Sequence, residues 1–96
     1  MEKTFISGPV SGIDYEYVSG KFLEAENYLS SKGVNTVNPI RLCSMSWDID
    51  KWERTCIKAL VECDGIYMLK GWKNSKEAKL EHFIAMKLGM KITLEK

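Results

Sequence analysis

Gly65-Ile66-Tyr67-Met68-Leu69, followed after a short connection by Asn74-Ser75-Lys76-Glu77-Ala78-Lys79-Leu80-Glu81, is the part of the chain that settles the architecture. The first segment is continuously apolar, as a strand covered on both faces has to be, and such strands belong to parallel sheets lying between helices. Gly71-Trp72-Lys73-Asn74 then carries the chain to a helix that begins near Ser75 and ends at Gly89. Counted in helical turns from Ser75, residues Ala78, Leu80, Phe83, Ile84, Met86 and Leu88 make a broad apolar face, and Glu81 lies beside Ala78 and Ala85. A carboxylate at the edge of a packed face must stay near solvent, find a partner or line a pocket. Glu81 is therefore the first candidate for chemistry, with a structural salt bridge or a solvated helix position as the alternatives.

The same alternation extends in both directions. Lys3-Thr4-Phe5-Ile6-Ser7 reads as a strand running into the loop Gly8-Pro9-Val10-Ser11-Gly12. From about Asp14 to Ser31, Tyr15, Val18, Phe22, Ala25 and Leu29 recur at helical spacing, and Lys32-Gly33 ends the run. Val34 to Val37 reads as a second strand closed by Asn38-Pro39, and the segment through Asp48 has no clear period and reads as a loop or broken turn. A helix with acidic residues at its start follows from Asp48 to near Cys63 through Trp52, Cys56, Ala59 and Leu60. Lys91 to Leu94 supplies a last strand. The order is βαβαβαβ, a three-layer α/β sandwich around a small parallel sheet of Rossmann-like or flavodoxin-like kind.

Ninety-six residues, 45% of them hydrophobic and 28% charged, suffice for one domain with a modest core and leave no room for a second. A formal charge of +1 without a lysine or arginine block argues against a nucleic-acid surface, which gains affinity by neutralising many phosphates. No segment approaches the roughly twenty apolar residues that cross a bilayer, and the N-terminus lacks a signal-peptide run, so a soluble cytoplasmic protein without a membrane partner is expected. Cys43, Cys56 and Cys63 are odd in number, with spacings of 13 and 7 that fit neither a disulfide framework nor paired CxxC zinc ligands. They read as free thiols. His82 is the only histidine, which excludes a His-rich metal centre, and it is expected in a solvated position beside Glu81.

In such a sheet, ligands bind beyond the carboxyl ends of the strands, where neighbouring crossovers leave on opposite faces. The loops from Gly8 to Gly12, Asn38 to Trp47 and Gly71 to Ser75 all follow strands and converge there. Ser7-Gly8-Pro9-Val10-Ser11-Gly12 could present amides and hydroxyls to a phosphate or sugar, yet it is neither GxGxxG nor GxxxxGK[ST], so no dinucleotide or ATP fingerprint is present. A plain strand-to-helix turn is the competing reading. Ser75 with the amides after it is the better anion site, and it also suits a helix cap. Trp47 and Trp72 stand in loops at the ligand end, where they could stack on a nucleobase or cover a subunit contact. Tyr67 and Trp52 read as core. A carboxylate such as Glu81 can attack a sugar carbon and form a transient ester. Asp64 is a candidate sugar-hydroxyl acceptor or a helix-terminal hydrogen-bond residue, but it precedes its strand and reaches the ligand end only if that strand starts late.

Taken in order, Phe5-Ile6-Ser7-Gly8-Pro9 with Ser11-Gly12, Asn38-Pro39, Cys63-Asp64, Gly71-Trp72, Ser75, Ala78, Glu81 and Ala85 resemble the nucleoside 2-deoxyribosyltransferase-like superfamily, in particular its short uncharacterised phage and bacterial members. The resemblance implies that Glu81 is the nucleophile at the anomeric carbon of a deoxyribose and that Asp64 assists through sugar or base. It further implies similarity to the branch that cleaves 2-deoxynucleoside 5-monophosphates, with Ser75, Ser11 and Gly12 near the 5-phosphate. Glu77 departs from the family's usual glycine and puts negative charge beside that serine, which Lys73, Lys76 or Arg41 would offset. No cofactor and no metal is implied. The expected ligand is a nucleotide or nucleoside, the expected assembly a homo-dimer or larger homo-oligomer, and the expected location the bacterial cytoplasm, with a phage gene as one source. The expected function is cleavage or transfer of an N-glycosidic bond. Its alternatives are a non-catalytic nucleotide-binding or sequestering protein and a structural or protein-interaction module.

Overall fold

The computed structural model describes residues 2–96. Four parallel strands, β1 (Lys3–Ser7), β2 (Asn35–Val37), β3 (Gly65–Met68) and β4 (Lys91–Leu94), form one sheet in the order β2-β1-β3-β4. The helices are α1 (Tyr15–Ser31), α2 (Pro39–Leu42), α3 (Ile49–Leu60) and α4 (Lys76–Lys87), and a 3-10 turn spans Trp72–Asn74. This is the three-layer α/β sandwich that the alternation of strand and helix signals predicts, and its strand order is flavodoxin-like.

The two faces of the sheet follow from side-chain alternation along the central strands. Ile6, Tyr67 and Leu69 pack with Val18, Phe22, Ala25 and Leu29 of α1. Phe5, Ile66 and Met68 turn the other way, against Trp52, Cys56 and Leu60 of α3 and Ala78 and Ala85 of α4. Each large side chain so buried contributes about 1.5–3 kcal/mol relative to exposure. Ser7 continues the alternation of Phe5 and faces the α3 and α4 layer, where a serine hydroxyl needs a partner. Because α1 leaves β1 on one face and α4 leaves β3 on the other, the carboxyl ends of these adjacent strands form the switch point of the sheet.

Three local features differ from the sequence expectation. Residues 39–42 form a helical turn rather than a loop, because Pro39 fits the first helical position and the Asn38 side chain accepts the Ile40 N–H at 3.1 Å. The connection after β3 tightens into the 3-10 turn, led by Gly71 at φ 89°, a left-handed conformation that suits glycine. The third difference concerns α4. Its buried residues are Ala78, Glu81 and Ala85, while Leu80, Phe83, Met86 and Leu88 are each about half exposed. Two alanines let the helix backbone lie close to the sheet, which leaves the bulky apolar side chains pointing outward. Among the described residues no helix is long and apolar enough to cross a membrane.

Candidate active site

Ser7, the last residue of β1, donates its hydroxyl to Glu81 Oε1 at 2.5 Å. Both residues are buried, Glu81 to 4% exposure, and the bond ties the central strand to the second turn of α4. Facing Glu81 from α3 is a second carboxylate, Glu53, at 9% exposure. Among the described residues no donor reaches either carboxylate oxygen of Glu53. One oxygen of each glutamate and the Cys56 thiol lie within 4.8 Å of one another.

Among the described residues no cation forms an ion pair with Glu53 or Glu81; the ion pair found there joins Arg41 to Glu26 at 2.7 Å, on the α1 side. Burial pushes the Glu53 carboxyl well above the usual carboxylate range, and the facing Glu81 and then Glu77 push it further. Burial likewise raises Glu81, but the facing Glu53 and the hydroxyl of Ser7 pull it partly back. Two carboxylates at this distance cannot both ionise cheaply, so the pair shares one proton, and Glu53 is the member with nothing to stabilise its anion. The Cys56 thiol is raised first by burial and then by the charge of Glu81, and Cys43, whose sulfur lies 4.0 Å away, is raised by burial. All three cysteines are free and buried, as expected from their spacing. Glu53, Cys56 and Glu81 form a donor set that a divalent cation could use, although burial, by holding the thiol protonated, opposes it.

Two cavities flank the start of α3, and Ile49 lines both. The first, about 260 Å³, is lined by Val10, Ser11 and Gly12 of the loop after β1 together with Tyr15, Trp47 and Trp52. The second, about 190 Å³, has Glu53, Lys76, Glu77 and Leu80 in its wall. Glu53 thus connects an open surface to the buried Glu81.

The structure brings Ser7 to Glu81 and gathers Ser11, Gly12 and Trp47 around one cavity. The remaining residues singled out in the sequence have local tasks. Gly8 packs on Leu69 so closely that a Cβ would stand 2.8 Å from it, and Pro9 lies against Gly71. Asn38 caps α2 and donates to Glu26 at 3.1 Å, turned toward α1. Arg41 is held by the same Glu26 and does not reach Glu77 as a compensating charge, whereas Lys76 shares the smaller cavity with it. Ser75 caps α4, accepting the Ala78 N–H at 3.1 Å. Trp72 stacks on His82 at 4.3 Å between ring centroids, so this histidine is half-buried against an indole rather than solvated. Asp64 lies at the amino end of β3, accepting the Lys3 N–H at 2.9 Å, and lines a cavity at the opposite end of the sheet from Ser7.

Glu53 is the residue that the sequence reading passed over. The signal was present: Glu53, Cys56 and Leu60 are spaced as one helical face, by the same argument that singled out Glu81.

The family model described as Domain of unknown function (DUF4406) matches residues 2–94. The chain belongs to this family. No curated protein matches it. The chain is similar in fold to the TIR domains in the structure of the activated Roq1 resistosome directly recognizing the pathogen effector XopQ, with a TM-score of 0.56 and 18% identity. The likeness covers 98% of this chain and 56% of that one, so this chain spans little more than half the length of the chain it matches.

These findings overturn the resemblance to nucleoside 2-deoxyribosyltransferases. The family that matches is a different one, and the similar structure carries TIR domains. The motifs behind that resemblance answer to the fold itself: close contact at Gly8, a left-handed turn at Gly71, and helix caps at Asn38 and Ser75 are what strand-to-helix turns require.

Proposed function

We propose that this protein cleaves or transfers the N-glycosidic bond of a nucleotide or nucleoside through Glu81. The observation that carries this reading is a buried carboxylate at the switch point of a parallel sheet, aimed by the Ser7 hydroxyl and in no ion pair among the described residues. An anion kept in a low-dielectric setting strongly stabilises the oxocarbenium-like charge that develops when a glycosidic bond breaks. Glu81 attacks C1 of the sugar, the base leaves with a proton, and the glycosyl ester passes to water or to a second base. The cavity lined by Tyr15, Trp47 and Trp52 supports binding of a flat base. Lys76 in the smaller cavity, near the start of α4, supports an anionic substrate. A 2-deoxynucleoside 5-monophosphate is the form we favour.

Chromatographic detection of free base, after incubating the protein with a panel of nucleosides and their 5-monophosphates, tests this. Release is expected from the monophosphates and should fall at least about a thousandfold in Glu81→Ala. Release that persists in that variant would remove Glu81 from the mechanism. Saturable binding without release would instead select a nucleotide-sequestering protein, a second reading favoured by the 4% exposure of Glu81.

The protein works, in this reading, as a homo-oligomer. The outward Leu80, Phe83 and Met86 of α4 support it, as does the occurrence of the similar TIR domains in a resistosome.

A further inference from the structure

We propose that Glu53 is a catalytic acid–base residue: it protonates the departing base and then takes a proton from the incoming water. The proposal rests on the reading of Glu81 as nucleophile and supplies the proton that this reading leaves without a source.

Four observations converge on Glu53. Its carboxyl is 9% exposed, and among the described residues nothing donates to it, so its hydrogen-bonding capacity is uncommitted. It lines the 190 Å³ cavity while Glu81 lies deeper, which places it on the side from which a ligand arrives. Glu81 faces it, with one oxygen of each carboxyl no more than 4.8 Å apart. Lastly, α3 carries Glu53 and also gives Ile49 and Trp52 to the aromatic cavity, so one rigid helix positions both the acid and a wall of the base pocket.

The spacing has chemical content. Glycosidases that invert configuration hold their carboxyls roughly 6.5–9.5 Å apart to leave room for water, whereas retaining enzymes hold them about 5–5.5 Å apart and use one as nucleophile. The short approach of Glu53 to Glu81 suits the second arrangement. In the first step an ionised Glu81 oxygen forms a bond to C1, the bond from C1 to the base nitrogen breaks, and its electron pair takes the proton of the Glu53 carboxyl. In the second step Glu53, now a carboxylate, accepts a proton from water as the water oxygen bonds to C1, and Glu81 leaves as carboxylate. Both glutamates return to their starting protonation, and the sugar keeps its configuration. The environments that set the two carboxyls apart, one uncompensated and one held by Ser7, match these roles.

A leaving group that is already cationic needs no acid, and this supplies the test. Release of guanine from 2-deoxyguanosine 5-monophosphate and of N7-methylguanine from its methylated counterpart is measured for the protein and for Glu53→Gln, Glu53→Asp and Glu81→Ala. In Glu53→Gln guanine release should fall at least about a hundredfold, while release of the cationic base changes by less than about tenfold. Glu53→Asp, which keeps an acid on a shorter stem, should recover part of the guanine release. Equal loss of both bases in Glu53→Gln without recovery in Glu53→Asp, or no loss of either, overturns the assignment and leaves Glu81 in place. If the unaltered protein releases neither base, the glycosidic reading fails and the role of Glu53 fails with it.

Discussion

At the scale of single residues, the chain tolerates two carboxyls in one buried space, and that has a thermodynamic signature. In the unfolded chain a glutamate ionises near pH 4.3. In the folded protein burial raises both Glu53 and Glu81, and the facing Glu81 helps to push Glu53 up to about 10. Between the unfolded and folded values the native state holds more protons than the unfolded state, so stability is complete below the unfolded value and is lost as pH rises through the folded one. The melting temperature should therefore decline from about pH 5 toward about pH 10, and Glu53→Gln, which cannot ionise, should flatten the slope. Scanning calorimetry across this range checks it; parallel slopes in the two proteins would mean that Glu53 ionises normally. Glu81 was legible in the sequence because alanines flank it at helical spacing. For Glu53 the helical spacing with Cys56 and Leu60 marks the inward face, but its meeting with a second acid is set by the packing of α3 against α4, which spacing along one helix does not give.

Elements show where pattern and packing part company. Hydrophobic periodicity located α1, α3, α4 and the four strands to within three residues at each end, since each has to hide one face or both from water. It chose the wrong inner face for α4, because it weighted large apolar side chains over the two alanines that set the distance to the sheet. The loops are harder still: Asn38 and Ser75 both cap helices, and for Ser75 the sequence allows a cap and an anion site alike. A cap and an anion site use the same amides, so Ser75 needs a substitution that separates the two roles. Ser75→Ala should lower stability by about 1 kcal/mol, and Ser75→Gly by only a few tenths, because glycine is itself an acceptable cap. If the hydroxyl also holds a phosphate, both variants should raise KM for a nucleoside monophosphate by a similar factor despite their unequal stabilities. A KM unchanged in Ser75→Gly would confine the residue to capping. Denaturant melts and steady-state kinetics on the two variants decide it.

For the whole molecule, the strand order and the layering place Ser7, Glu81 and Glu53 at the switch point while leaving Leu80, Phe83 and Met86 on the outer side of the same helix. Side chains of this size, half exposed along one face, are costly for a lone small domain, and a second copy meeting them about a two-fold axis would cover both patches at once. Lys76, Lys79 and Lys87 on this helix, with Glu77 among them, are surface charges that would then rim an apolar centre. Sedimentation velocity should find the protein as a dimer or larger, and Phe83→Glu should shift it to monomer with its melting profile otherwise kept, since Phe83 lies outside the core. A monomer at every concentration, or an unchanged assembly in Phe83→Glu, would refute this. Because α4 holds Glu81 on its inner side and the apolar patch on its outer side, loss of the assembly should also weaken catalysis: the helix that aims the nucleophile would lose its outer cover.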